Sequence, residues 1–484
     1  MRGEYKHIFK YISVFGSVQG LTILLGIVKN KLIAILLGPV GVGLLSLYNS
    51  AIRLLSDITG MGVTVSGTRL VASAGNDGRQ IEIVAVVRQW SLLAALVGLI
   101  MTALLAFPLS FWFFQDSWHV LSMLMLAPAV AMTVLTGGEL CVLKGTGHLR
   151  QLAWSSVYVA LGILLSTVPL YVIFGIEAIV PSLFLSALLN LIIVSYFSRK
   201  IAPFNWKIDV GLLRHHVAVI KLGAAFVAAG VFGSGTDLLF RSFLNAQGGA
   251  GTVGIYNAGY MMCMTYAGAF FASMETDYYP RLSMFKNLGV KFNQVVNHQI
   301  EVTLLVVSPM LLFFMVAAPF IIPLLYSNEF LEAVPMVRWG MLAMYIRCFT
   351  LAIEYIVLSH GKPISYFLIE SLSYSVLLFS MIVGYLYGGV EGVGVGMLVS
   401  GVLEVVFVLI YVNIHFHYKV SKRVGTIFAF QFLLGVAIVC KIAFLPNVHL
   451  GLLEASLVLI SAVFSIITFV LLISNEKEDA NEDA

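Results

Sequence analysis

The sequence predicts an all-α integral membrane protein with about fourteen transmembrane helices: two pseudo-symmetric six-helix lobes plus two C-terminal helices. Three observations predict it. Sixty per cent of the 484 residues are hydrophobic and 11% are charged, whereas soluble domains carry about 25% charged residues. Mean hydropathy is +0.97. Apolar runs long enough to cross a bilayer, about 20 residues each, follow one another with hardly a gap. Finally, the two halves repeat each other, as they do in many secondary transporters.

The runs, in order, are 10–36, 41–72, 84–114, 118–143, 151–174, 177–198, 215–244, 250–275, 298–326, 332–359, 364–387, 391–416, 424–444 and 450–474. A bilayer leaves no water for backbone groups, so each run must close its hydrogen bonds as helix. The connections 199–214 and 278–297 are the longest, and neither can hold a soluble domain. The expected organisation is an N-terminal lobe 1–198, a cytoplasmic linker 199–214 and a C-terminal lobe 215–416. Accessory helices span 417–474, and an acidic tail follows at 475–484.

Most of the 28 Lys and Arg fall in connections of one parity or at the termini, including Arg2, Lys6, Lys144, Arg150, Arg199, Lys200, Lys362, Lys422 and Arg423. The opposite connections carry Asp116, Glu329 and Glu332. Basic loops stay in the cytoplasm, so both termini face inward and the helix count is even. The positive balance is topological and implies no nucleic-acid partner. The first run is too long for a cleaved signal and lacks a small-residue cleavage site, so it is a retained span.

The repeat is carried by polar and glycine positions. GVGLLSLYNS at 41–50 matches GAGTVGIYNA at 249–258 at an offset of 208, aligning Gly41, Gly43, Tyr48 and Asn49 with Gly249, Gly251, Tyr256 and Asn257. GIEAIVPSLFLS at 175–186 matches GVEGVGVGMLVS at 389–400 at 214. The growth in offset is expected mainly in the connection 278–297.

Several functions are excluded. Cys141, Cys263, Cys348 and Cys440 sit in apolar runs as small fillers, and no metal-ligand spacing exists. GVEGVGVG at 389–396 opens an apolar helix, so it reads as close packing through small residues rather than a dinucleotide loop. No GxxxxGK[ST] loop exists, so the chain has no cofactor of that kind.

Charges inside apolar runs carry the chemistry. An Arg at bilayer depth costs about 2.5–3.5 kcal/mol on insertion scales and faces a polar interior. Arg88 and Glu139, and Glu354 and Glu370, lie toward inner helix ends, where a side chain can snorkel to water. Lys29 and Lys31, Arg53 and Asp57, Asp237 and Arg241, Arg338 and Arg347, and Glu404 lie deeper. Arg53–Asp57 and Asp237–Arg241 are four apart, so each pair shares a helix face; internal neutralisation that merely makes the helices tolerable is the alternative reading. At the 208 offset Lys29 and Asp237 are equivalent and would form an outer gate. Lys31, Arg53, Arg241 and Arg347 would give a cationic cavity suited to a phosphate or diphosphate.

The stretches GIVKNKLIAILLGPVGVGLLSLYN at 26–49 and RLLSDITGMGV at 53–63 resemble the bacterial O-antigen and capsular polysaccharide flippases. These form the polysaccharide-transport branch of the multidrug/oligosaccharidyl-lipid/polysaccharide exporter superfamily. The resemblance implies a bacterial inner-membrane flippase that carries an undecaprenyl-diphosphate-linked oligosaccharide to the outer leaflet by alternating access. It also implies partners among membrane lipids, a polysaccharide polymerase and a chain-length regulator. Tyr48, Asn49, Tyr256 and Asn257 are candidates for sugar contact, or for anchoring at the interface. Coupling to H+ or Na+ through Asp57, Asp237 or Glu404 stays open. A multidrug exporter would favour a carboxylate-lined cavity. A peptidoglycan-precursor flippase would be electrostatically indistinguishable. An integral-membrane glycan-modifying enzyme would need a catalytic constellation on a sizeable outer loop, and the outer connections are only a few residues long.

Overall fold

The computed structural model describes residues 2–74, 79–114, 119–203, 218–266, 268, 271, 278, 281–285, 289–360, 362–444 and 451–482. Linker residues 204–214 lie outside these. Regular structure among the described residues is helical: α1 Arg2–Thr59, α2 Val63–Ser73, α3 Arg79–Phe114, α4 Val120–Gly145, α5 Leu149–Phe174 and α6 Ile179–Arg199. Then come α7 Ala218–Tyr260, running into a π-helical turn at Met261–Tyr266, α8 Val290–Leu325, α9 Val334–Ser359, α10 Pro363–Phe416, α11 Lys422–Phe444 and α12 Gly451–Glu482. The helix α12 continues through most of the stretch read as an acidic tail. Among the described residues, nine helical stretches are long and apolar enough to cross a membrane.

Several of these are two spans joined at a glycine. Gly38 breaks α1 at φ 62°, ψ −171°, a conformation open essentially to glycine alone. Pro39 follows and withholds a backbone donor from the preceding turn. Gly249 breaks α7 at φ 76°, ψ 175°. Gly175 separates α5 from the short turn before α6 at φ 57°, ψ −132°, and Gly389 breaks α10 at φ 58°, ψ −142°. With these divisions the helices are consistent with the fourteen apolar runs.

The breaks correct the register of the repeat. Gly38 and Gly249 have matching backbone conformations at an offset of 211, not 208. The same offset relates α3 to α8, each 36 residues long, and Pro108 inside one to Pro319 inside the other. From α4 and α9, each 26 residues long, the offset is 214, and Gly175 and Gly389 keep it. The growth is therefore three residues. It falls in the connection 326–333, where a 3-10 turn spans Asn328–Ala333, against 115–119 in the first copy. The 278–297 connection does not contain it. Glycine-rich strings align at several registers, and only the φ > 0 position selects among them.

The chain divides into two compact units, residues 1–254 with 325–327, and 255–324 with 328–484. In the first unit, the segments beyond the α1 and α7 breaks cross with their backbones in contact. A Cβ on Gly43 would strike the Ala250 carbonyl, and one on Gly254 would strike that of Pro39. The contact is reciprocal at the 211 offset. In the second unit, the two segments of α10 meet the same way: a Cβ on Gly384 or Gly392 would collide with the other's carbonyl, and one on Gly396 with that of Ser380. The string GVEGVGVG is thus a packing surface.

Candidate functional site

In the first unit, the second segment of α1 lies beside the first segment of α7, joined through polar groups. Ser50 Oγ donates to Asp237 Oδ2 at 2.7 Å. Arg241 Nε donates to Asp237 Oδ1 at 2.9 Å, the i,i+4 geometry read from the sequence. About two turns further along α1, Asp57 faces Ser234 of α7, whose hydroxyl donates to the Gly230 carbonyl of its own helix, and Arg53 lies within charge range of the Asp57 carboxylate. Arg241 is 5% exposed, whereas Arg53 is exposed. The structure thus brings Arg53, Asp57, Asp237 and Arg241 onto one two-helix ladder. At its far end, Asn245 Nδ2 donates to the Phe113 carbonyl at 2.8 Å and ties α7 to α3.

Lys29 and Lys31 stand half-buried on the segment of α1 before the break. The corrected register sets Lys29 against Phe240 rather than Asp237, so the pseudo-symmetric pairing of those two charges is lost. Asp237 is engaged by Ser50 and Arg241. Tyr48 and Tyr256 are buried, and Tyr256 packs its ring 5.5 Å from that of Tyr260. Asn49 is exposed and returns its amide to the Leu45 carbonyl of its own helix at 2.9 Å. Asn257 is half-buried.

The second unit places Arg347 differently from the expected cationic cavity. Its Nη1 lies 3.3 Å from Glu404 Oε1 and 3.4 Å from Glu354 Oε2, with Glu370 also in its field. A cavity of about 170 Å³ opens beside it, lined by Arg347, Glu370, Glu404, Ser373, Tyr374 and Tyr260 among others. Arg347 is thus surrounded by carboxylates. Sequence position gave no warning, because Glu354 and Glu370 lie near helix ends where snorkelling is the ordinary reading.

Arg88 and Glu139 also depart from that reading. Both are buried, and the guanidinium makes a two-pronged contact with Glu139 Oε2 at 2.9 and 3.1 Å. It further donates to the carbonyls of Ala202 and Pro203 and to Ser198 Oγ, which itself donates to Glu139. The network locks α3, α4 and α6 together. Among the described residues, no group of three or more His, Cys, Asp and Glu could hold a metal ion.

Comparison with solved structures places the fold among membrane transporters. The lipid II flippase MurJ, in an inward closed conformation, superposes with a TM-score of 0.73 at 14% identity over 95% of this chain and 99% of that one. An inward-facing multidrug resistance transporter of the MATE family, MOP superfamily, gives 0.62 at 13% identity over 84% and 95%. A MOP superfamily transporter from Pyrococcus furiosus gives 0.56 at 13% identity over 83% and 93%. No curated protein matches the sequence. Residues 8–286 match the family described as polysaccharide biosynthesis protein. That match spans more than half of the chain, which therefore belongs to the polysaccharide biosynthesis protein family.

Proposed function

We propose that the protein is a flippase that moves an undecaprenyl-diphosphate-linked oligosaccharide from the cytoplasmic to the outer leaflet by alternating access, supplying O-antigen or capsule synthesis. Under this reading it sits in a bacterial inner membrane with both termini in the cytoplasm and works beside a polymerase. The observation that carries it is the α1–α7 ladder. Arg53 stands exposed in the middle of an apolar helix, while the carboxylate of Asp237 is already held by Arg241 and Ser50. Lys29 and Lys31, on the preceding segment of α1, stay candidates for the same head group. A diphosphate fits an exposed guanidinium through paired donors. Of the candidates for sugar contact, Asn49 is exposed, whereas Tyr48 and Tyr256 are buried and fit the anchoring reading. Arg347 is left out of the head-group site, because three carboxylates, Glu354, Glu370 and Glu404, surround its single charge.

Neutralising Arg53 should stop glycan export while leaving the protein inserted at normal abundance. Arg53→Lys should restore part of it, since charge remains and paired donation is lost. Normal export by both Arg53→Ala and Arg241→Ala would make these residues structural and remove the anion site. A second reading, a peptidoglycan-precursor flippase, is supported by the MurJ fold and uses the same head group. Complementation separates the two: a strain lacking only its O-antigen or capsule flippase should regain surface glycan, and one lacking its lipid II flippase should not regain growth.

A further inference from the structure

The geometry points to a proton-binding site in the second unit, in which Glu354 and Glu404 share one proton beside Arg347. Three carboxylates, Glu354, Glu370 and Glu404, surround this guanidinium. Fully ionised, the group would carry two uncompensated negative charges within a membrane span. Glu354 Oε2 and Glu404 Oε1 approach the same nitrogen, Arg347 Nη1, at 3.4 and 3.3 Å, so the two carboxylates converge on one point. Two carboxylates in contact cannot both stay ionised, and a proton between them turns repulsion into a hydrogen bond. Independently of that pair, Glu354 is 2% exposed and its Oε1 is buried with no hydrogen-bond partner among the described residues. A buried ionised oxygen left in this way is costly, and a hydroxyl is not.

The surroundings favour a proton over a metal cation. Arg347 Nη1 stands within 3.4 Å of both carboxylates, in the place a sodium ion would take. The titratable neighbours are Tyr366, near Glu370, and Tyr374, both from the first segment of α10, with Tyr260 at the end of α7. The helix α11 meets α9 through aromatic contacts, Phe428 on Phe349 and Phe432 on Tyr345. Glu404 and Glu370 line the cavity while Glu354 lies behind it, which gives the proton a route in and out. Release leaves both carboxylates charged and drawn to Arg347; uptake frees one of them. Coupling of this step to glycan movement rests on the flippase reading, whereas the protonation does not.

The test uses the purified full chain in detergent micelles with potassium as the only metal cation. Infrared difference spectra between neutral and alkaline pH should show a protonated-carboxyl C=O band that is lost on raising the pH and shifts in D2O. Glu354→Gln and Glu404→Gln should each abolish the band, while Glu391→Gln, on the Trp339 contact elsewhere in α10, should leave it unchanged. The wild-type titration stands if a Gln variant fails to fold. A wild type without the band, a band surviving in both variants, or a band removed by exchanging potassium for sodium would each overturn the proposal. A band present in a protein that moves no glycan would sink the flippase reading and leave the proton site standing.

Discussion

At the scale of single residues, Arg88 and Arg53 show two ways to keep a guanidinium among apolar helices. Arg88 spends its donors on Glu139, Ser198 and two carbonyls. Removing one partner of a buried pair leaves the other charge uncompensated, a cost of about 3–5 kcal/mol. Arg88→Ala should therefore lower the melting temperature in detergent sharply and reduce folded yield. A variant melting like wild type would show that water reaches Glu139. Arg53 is exposed, so Arg53→Ala should melt within a few degrees of wild type and lose export instead. Hydropathy gave the depth of these charges, and i,i+4 spacing gave the Asp237–Arg241 pair. Glu139 beside Arg88 and Glu404 beside Arg347 lie 51 and 57 residues away, a distance no local pattern encodes, whereas Glu354 shares the helix of Arg347 and was open to the helical period.

At the scale of elements, glycine decides where spans end and how closely they cross. Gly389 holds φ 58°, ψ −142°, a region nearly closed to residues with a Cβ, which pay about 1–3 kcal/mol there. Gly389→Ala should be destabilised by about that amount in thermal melts. Gly175→Ala should behave alike, since the two turns share their conformation; neutrality of both would contradict the matched turns. Crossing contacts are less forgiving. Gly254→Val should fail to accumulate as monodisperse protein, because its side chain would meet the Pro39 carbonyl. Gly251→Val, whose Cβ would rest 3.7 Å from Val40, should accumulate. The long apolar runs and the later repeat pair were legible because bilayer solvation imposes length and the turns require glycine. The earlier register was not, since GPVGVG and GGAGTVG offer several glycines and only the backbone angle marks which one breaks the helix.

At the scale of the whole molecule, the account depends on orientation and on transport itself. Three of the four cysteines are buried and Cys440 is exposed, so Cys440→Ser gives a quiet background for labelling. A cysteine at Asn328 should react with an impermeant maleimide in intact cells, and one at His148 only after permeabilisation; the reverse would overturn the inward-facing termini. The central claim is translocation of a lipid-linked diphosphate glycan, and vesicles test it most directly. The purified chain is reconstituted with an undecaprenyl-diphosphate oligosaccharide whose fluorescent label is quenched only in the outer leaflet. Protein-containing vesicles should expose the inner-leaflet half over time, and vesicles with Arg53→Ala should retain it. Quenching that stops at the outer-leaflet fraction, as in protein-free vesicles, would contradict the claim.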